Sequence, residues 1–288
     1  MRVSALRALM LGLALALAWS SVASGQTLKP YKDELFAYPG VLSEEGGGAY
    51  KVVDYSEARD IDRRDEVPER RVRGKYVSLS VRKVQKDLAL KTESGATIRH
   101  FAVGKTEGAR FIVLYLHGQG GSRKQGVDDF SFGGNFNRIK NLAVANGALY
   151  LTPDFPDFGG GGVAAVSALI EYYATKSPGA PVIVACGSMG GQLCWGLASH
   201  PERLGGLLLL GSLWDDTFKK SPAFKRKLPV FFGHGSRDNV FPIERQEAFF
   251  RSLGPNYPAR FVRFETGTHG TPIRMTDWRE VLNWMLAQ

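Results

Sequence analysis

The strongest constraint on the fold is a rhythm that begins at residue 111 and runs to the end of the chain. Apolar runs at 111–116, 148–151, 181–185, 207–210, 230–232 and 261–264 alternate with segments of helical period at about 134–146, 163–175, 189–199, 242–253 and 277–287. An unbroken apolar run fits a strand covered on both faces. Alternation with helices makes such strands parallel, because each crossover lays a helix on the sheet. The chain is therefore predicted to be an α/β protein with a mostly parallel central sheet and helices on both faces. Upstream, residues 76–81 alternate apolar and polar and read as a half-buried strand, with 98–103 as its partner after the turn Glu93-Ser94-Gly95. Hydrophobic residues make up 44% of the 288, enough for a sizeable core and too many for a disordered chain. No long period recurs, which excludes a solenoid.

The N-terminus reads as an address rather than as part of this sheet. Arg2 and Arg7 flank the start of an apolar run at 8–19, and small residues follow, with Ser21-Val22-Ala23 or Ala23-Ser24-Gly25 as cleavage sites. The run is shorter than the ~20 residues that a membrane-spanning helix needs. Residues 1–25 are thus expected to be a signal peptide and the mature protein to be exported, periplasmic or extracellular, without stable membrane insertion. Residues 26–75 read as an irregular, charged N-terminal arm, and residues 76–288 as the α/β domain. The net charge of +9 is dispersed and no recognition motif accompanies it, which argues against a nucleic-acid partner. Cys186 and Cys194 are the only cysteines, so a disulfide scaffold and a four-cysteine zinc site are excluded. One sits at a strand end and the other in the next helix, and both are expected to be buried free thiols.

Ligands of parallel sheets sit at the carboxyl ends of the strands, so chemistry is sought just after each apolar run. After 181–185 comes Cys186-Gly187-Ser188-Met189-Gly190-Gly191 and then a helix. A strand that turns abruptly into a helix pushes its middle residue out, and small neighbours are needed to avoid collision. The serine hydroxyl then projects at the positive end of a helix. Cys186 stands where glycine is usual in this pattern. A serine needs a base, and the base needs an orienting acid. Of the five histidines, His269 follows the last strand in Gly267-Thr268-His269-Gly270 and is the candidate base. His100 reads as structural, His117 and His234 as loop supports, and His200 as a helix-terminal cation. Asp238, the first carboxylate beyond 230–232, is the candidate acid. Asp215 and Asp216 are the runners-up, while Asp154 and Asp157 read as pocket wall. The run Gly159-Gly160-Gly161-Gly162 lacks the Gly-Lys-Ser/Thr of a phosphate loop and reads as a flexible bend before a helix starting at Val163.

Taken together, these loops resemble the α/β-hydrolase superfamily over about residues 76–288. The order Ser188, Asp238, His269 is the order that superfamily uses, and His117-Gly118-Gln119-Gly120-Gly121 resembles its oxyanion loop. The resemblance implies an α/β-hydrolase fold with Ser188, Asp238 and His269 as a catalytic triad. It also implies an oxyanion hole made by the backbone N–H groups of Gln119 and Met189. Only residues 213–228 lie in the connection where larger members insert a helical cap, so no large cap domain is expected. The chain looks like the compact carboxylesterases, acyl-thioesterases and dienelactone-hydrolase-like enzymes. The last often use a cysteine nucleophile where this chain has Ser188. The implied activity is that of a serine carboxylesterase acting on a small-molecule ester, with no cofactor and no metal. Peptidase, amidase or thioesterase action on the same triad, or a non-catalytic binding protein of the same fold, are the alternatives.

Overall fold

The computed structural model describes residues 27–66, 70–93 and 95–288. The expected signal peptide lies outside the described residues. The strands are β1 (Val41–Glu45), β2 (Tyr50–Asp54), β3 (Asp65–Glu66), β4 (Arg71–Val72), β5 (Gln85–Lys91), β6 (Thr97–Gly104), β7 (Ile112–Leu116), β8 (Leu149–Pro153), β9 (Val182–Gly187), β10 (Leu204–Leu210), β11 (Val230–Gly235) and β12 (Ala259–Glu265). The helices are α1 (Asp33–Phe36), α2 (Asn135–Ala145), α3 (Gly160–Lys176), α4 (Gly191–Leu197), α5 (Pro222–Lys225), α6 (Ile243–Ser252), α7 (Thr271–Met275) and α8 (Trp278–Leu286).

Ten strands form one sheet in the order β1-β2-β12-β11-β10-β9-β7-β8-β6-β5. From β2 to β8 the neighbours are parallel, and only the pairs β1–β2, β6–β8 and β5–β6 are antiparallel. The unbroken apolar runs are explained by two cores, one on each face, because successive side chains of a strand point to opposite sides. Ile112, Leu114, Val182, Val184, Leu207 and Leu209 meet α3, α4 and α6 through Val166, Leu169, Leu193 and Phe249. Val113, Tyr115, Ile183, Ala185, Leu208 and Leu210 meet α2 and α8 through Phe136, Ile139, Leu142 and Leu282. Between β10 and β11 lie only a 3-10 turn (Asp216–Lys220) and the four-residue α5, so there is no large cap domain.

Three expectations need correction. The described part of the arm expected to be irregular, residues 27–66 and 70–75, carries regular elements. β1 and β2 form a hairpin across Gly46-Gly47-Gly48, all at positive φ, and β2 adds in parallel to β12 at the sheet edge. Tyr50 and Val53 of β2 are buried against the two cores, which offsets the charge of the rest of the arm. Residues 76–81 are not a strand. Two 3-10 turns (Gly74–Tyr76 and Leu79–Val84) flank Val77 and Ser78, and Asn137 of α2 takes both backbone groups of Ser78, accepting its N–H at 2.9 Å and donating to its carbonyl at 2.9 Å. β6 pairs instead with β5 on one side and β8 on the other. Finally, α3 begins at Gly160 rather than Val163, because the Asp157 carboxylate accepts the N–H groups of Gly159 and Gly162 at 2.7 and 2.9 Å. The glycines so anchored form the first helical turn.

Candidate active site

β9 ends at Gly187 and the chain enters α4 within four residues. Ser188, at the tip, has φ of 52°, a left-handed conformation that costs a non-glycine residue about 1–2 kcal/mol. Two glycines make the turn feasible. A Cβ on Gly190 would stand 2.7 Å from the Leu116 carbonyl oxygen, and one on Gly118 would stand 2.7 Å from Ser188 Cβ. The loop after β7 therefore presses directly on the serine. Ser212, just after β10, donates its hydroxyl to the Ser188 carbonyl at 2.7 Å and ties the turn to the neighbouring strand end.

The expectation of free thiols at Cys186 and Cys194 is wrong: they form a disulfide, with Cα atoms 6.3 Å apart. The reversal at Ser188 lays the middle of α4 back over the end of β9, so residues eight apart come within bridging range. Both cysteines are fully buried in the core. Cysteine thus takes the position where glycine is usual because its side chain is directed into a bond across the turn.

His269 lies in the loop after β12. Its Nε2 is 2.9 Å from Ser188 Oγ and its Nδ1 is 2.8 Å from Asp238 Oδ2. These three side chains come from loops after β9, β11 and β12, which the parallel sheet brings to one edge. The Asp238 side chain is buried, and burial would raise its carboxyl. The His269 hydrogen bond and the amides of Phe241 and Val240, 3.0 and 2.8 Å from Oδ1, outweigh that and hold it below the ordinary value. With Asp238 ionised, Nδ1 of His269 carries the proton and Nε2 is the acceptor facing the serine hydroxyl.

The remaining sequence candidates are placed as follows. Gln119 is exposed in the loop after β7, and Met189 is half-buried directly after Ser188. His117 donates from Nδ1 to the Gly118 carbonyl at 2.9 Å and stacks on Phe155 at 4.3 Å, and its burial lowers its pKa. His234 donates from Nε2 to the Phe241 carbonyl at 2.8 Å, and the same nitrogen lies 3.3 Å from Asp238 Oδ2. His100 bridges the Tyr173 hydroxyl and the Ile98 carbonyl, away from Ser188 in the β6 strand. Asp215 is engaged with Thr217 as a turn cap, and Asp154 is paired with Arg123 at 2.6 Å. Phe155 and Phe158 are half-buried and pack on each other and on His117, one residue from Gly118. Trp195 instead belongs to the core against Phe218 and Phe249. Beside it, α4 and the segment after β10 line an open pocket of about 700 Å³ with Gln192, Trp214, Asp215 and Lys220.

His234, expected as a loop support, holds the Phe241 carbonyl, but its approach to the Asp238 carboxylate was not anticipated because it depends on the turn between them. One further contributor was not foreseen. Asp65 in β3 makes a paired contact with Arg274 of α7, at 2.6 and 3.0 Å, and Arg274 also donates to the Asp60 carbonyl. Through this pair the N-terminal arm holds the helix that follows His269. Among the described residues, no group of three or more His, Cys, Asp and Glu is placed to hold a metal ion, and no helix is long and apolar enough to cross a membrane.

Comparison with known proteins agrees with this architecture. Solved structures of the same fold include a protein from Thermus thermophilus (22% identity, TM-score 0.50, 70% of this chain and 98% of that one). They also include an α/β serine hydrolase homologue from Coxiella burnetii (16%, 0.53, 69% and 95%) and an esterase from Pyrococcus furiosus (16%, 0.52, 75% and 97%). No curated protein sequence matches the chain. Residues 113–287, more than half of the chain, match the α/β hydrolase family, and with the strand order and the serine turn this places the chain as a member of that family.

Proposed function

We propose that this hydrolase is an exported serine esterase that cleaves carboxylic esters through an acyl-enzyme. The observation that carries the reading is the continuous chain of hydrogen bonds from Asp238 Oδ2 through His269 to Ser188 Oγ, at 2.8 and 2.9 Å. In this reading Ser188 attacks the ester carbonyl as its proton passes to His269 Nε2. Asp238 fixes the tautomer and stabilises the imidazolium. The backbone N–H groups of Met189 and Gln119 receive the developing oxyanion, each being worth about 3 kcal/mol in the transition state. His269 returns the proton to the leaving alkoxide, the alcohol departs, and a water activated by the same nitrogen then hydrolyses the acyl-enzyme. The half-buried Phe155 and Phe158, packed on His117 in the loop after β7, favour an apolar group on the ester. The leader-like residues 1–25 and the presence of a buried disulfide, a bond that persists in oxidising compartments, support export.

The test is turnover of a short p-nitrophenyl ester and its matched anilide by the parent and by Ser188→Ala. The reading expects ester cleavage well above anilide cleavage, and its loss in the variant with the fold retained. Full activity of Ser188→Ala removes Ser188 as nucleophile, and preferential anilide cleavage replaces the esterase reading with an amidase.

A further inference from the structure

The Cys186–Cys194 bond straddles Ser188, joining the strand two residues before it to the helix six residues after it. What it joins is unequal in strength. Cys186 lies deep in the sheet, in register with Leu116 of β7 and Leu209 of β10. Cys194 lies in α4, which has only seven residues, contains Gly191 and Gly196, and has no side-chain cap at its N-terminus. Helices so short and rich in glycine are weak on their own. Yet this helix follows directly on the turn that holds Ser188 in its left-handed conformation and carries the Met189 amide. A strained residue persists only where its surroundings over-determine it. Ser212 and Gly118 restrain Ser188 from one side, and the disulfide is the covalent restraint on the other.

We propose that the disulfide is a positioning device for Ser188: it locks α4 to the end of β9 so that the hydroxyl is presented to His269 and the Met189 amide stays aimed at the same point. The proposal rests on the reading of Ser188 as the nucleophile. It differs from a merely structural role, in which the bond would raise stability without affecting chemistry.

The experiment compares the parent with the double variant Cys186→Ala/Cys194→Ala, measuring kcat and KM on a p-nitrophenyl ester and the rate of labelling by a fluorophosphonate, with circular dichroism as the check on fold. Positioning predicts a fall of tenfold or more in kcat and in labelling rate, with KM within about twofold and the spectrum unchanged. Parent-like kcat and labelling, with only a lower Tm, overturn it. If the double variant does not fold, the parent protein is treated with a dithiol reductant and alkylated. With alkylation of both thiols established by mass, loss of activity with a retained spectrum supports the proposal, whereas retained activity, or activity and spectrum lost together, overturns it. Ser188→Ala is run alongside. Abolished activity there with an unaffected cysteine variant refutes the staple alone, while activity retained by Ser188→Ala refutes the reading beneath it.

Discussion

His234 Nε2 lies 3.3 Å from the same Asp238 oxygen that meets His269 Nδ1 at 2.8 Å, so one buried carboxylate oxygen stands between two imidazoles. His234 also holds the Phe241 carbonyl, and the Phe241 amide in turn holds the other carboxylate oxygen. The loop is thereby closed on itself around the acid. His234→Ala removes the donor that holds the Phe241 carbonyl and so loosens the turn whose amides support Asp238, and it should lower kcat about tenfold, about 1.4 kcal/mol. His234→Gln, whose amide nitrogen reaches a similar place, should recover part of it. Equal losses in both variants would show that only packing matters there.

Asp238→Asn should keep the fold and lower kcat on an ester about 10³–10⁴-fold, because the amide no longer selects the tautomer with Nε2 free to accept. Asp215→Asn, altering a carboxylate that caps a surface turn, should stay within about twofold of the parent. Steady-state kinetics of the two variants side by side separates the acid from its runner-up.

The paired contact between Asp65, fully buried, and Arg274 gives a stability prediction. Asp65→Ala leaves a buried guanidinium without its partner and should destabilise the fold by about 3–5 kcal/mol in urea denaturation. The double variant Asp65→Leu/Arg274→Met removes both charges and should cost less. Because Arg274 sits five residues after His269, the single variant should also lower ester turnover at temperatures where the protein is still folded.

Acid stability has two stages. Burial lowers the pKa of His100, His117 and His234. Below the unfolded value of about 6.5 the unfolded chain therefore binds protons that the folded chain refuses, and stability falls with pH. Asp238 and Asp129 are also held below their ordinary values, so their contribution is present above about pH 4 and is lost as pH falls further. The Tm should decline from near pH 6.5 downward and more steeply below pH 4. His100→Gln should flatten the first stage, and a Tm indifferent to pH between 7 and 5 would contradict the assignment.

Much of this could be seen before any coordinates. The runs at 111–116 and 181–185 are apolar because both faces of those strands are covered, which makes them conspicuous. The three side chains at the sheet edge follow from loop position alone, since strands that run parallel deliver their carboxyl ends to one side. What escaped detection depends on contacts between distant segments. Within β2 only Tyr50 and Val53 are buried, and that strand acquires meaning through β12, far along the chain. The disulfide depends on the angle at which α4 folds back over β9, which spacing does not encode. Residues 76–81 alternate like a strand, but an asparagine side chain from α2 captures the backbone that a neighbouring strand would have taken.

The pairing of β2 with β12 has a consequence for how the molecule is made. Phe261 to Glu265 register against Tyr50 to Asp54, so the whole intervening segment, residues 55–260, must leave the ribosome before that edge of the sheet can close. Until then the β1–β2 hairpin has nothing to dock on, and a lone two-stranded hairpin is marginal in water. Closure of that edge is thus gated by β12, far downstream of the hairpin, and a truncation before β12 would leave β1 and β2 without a home.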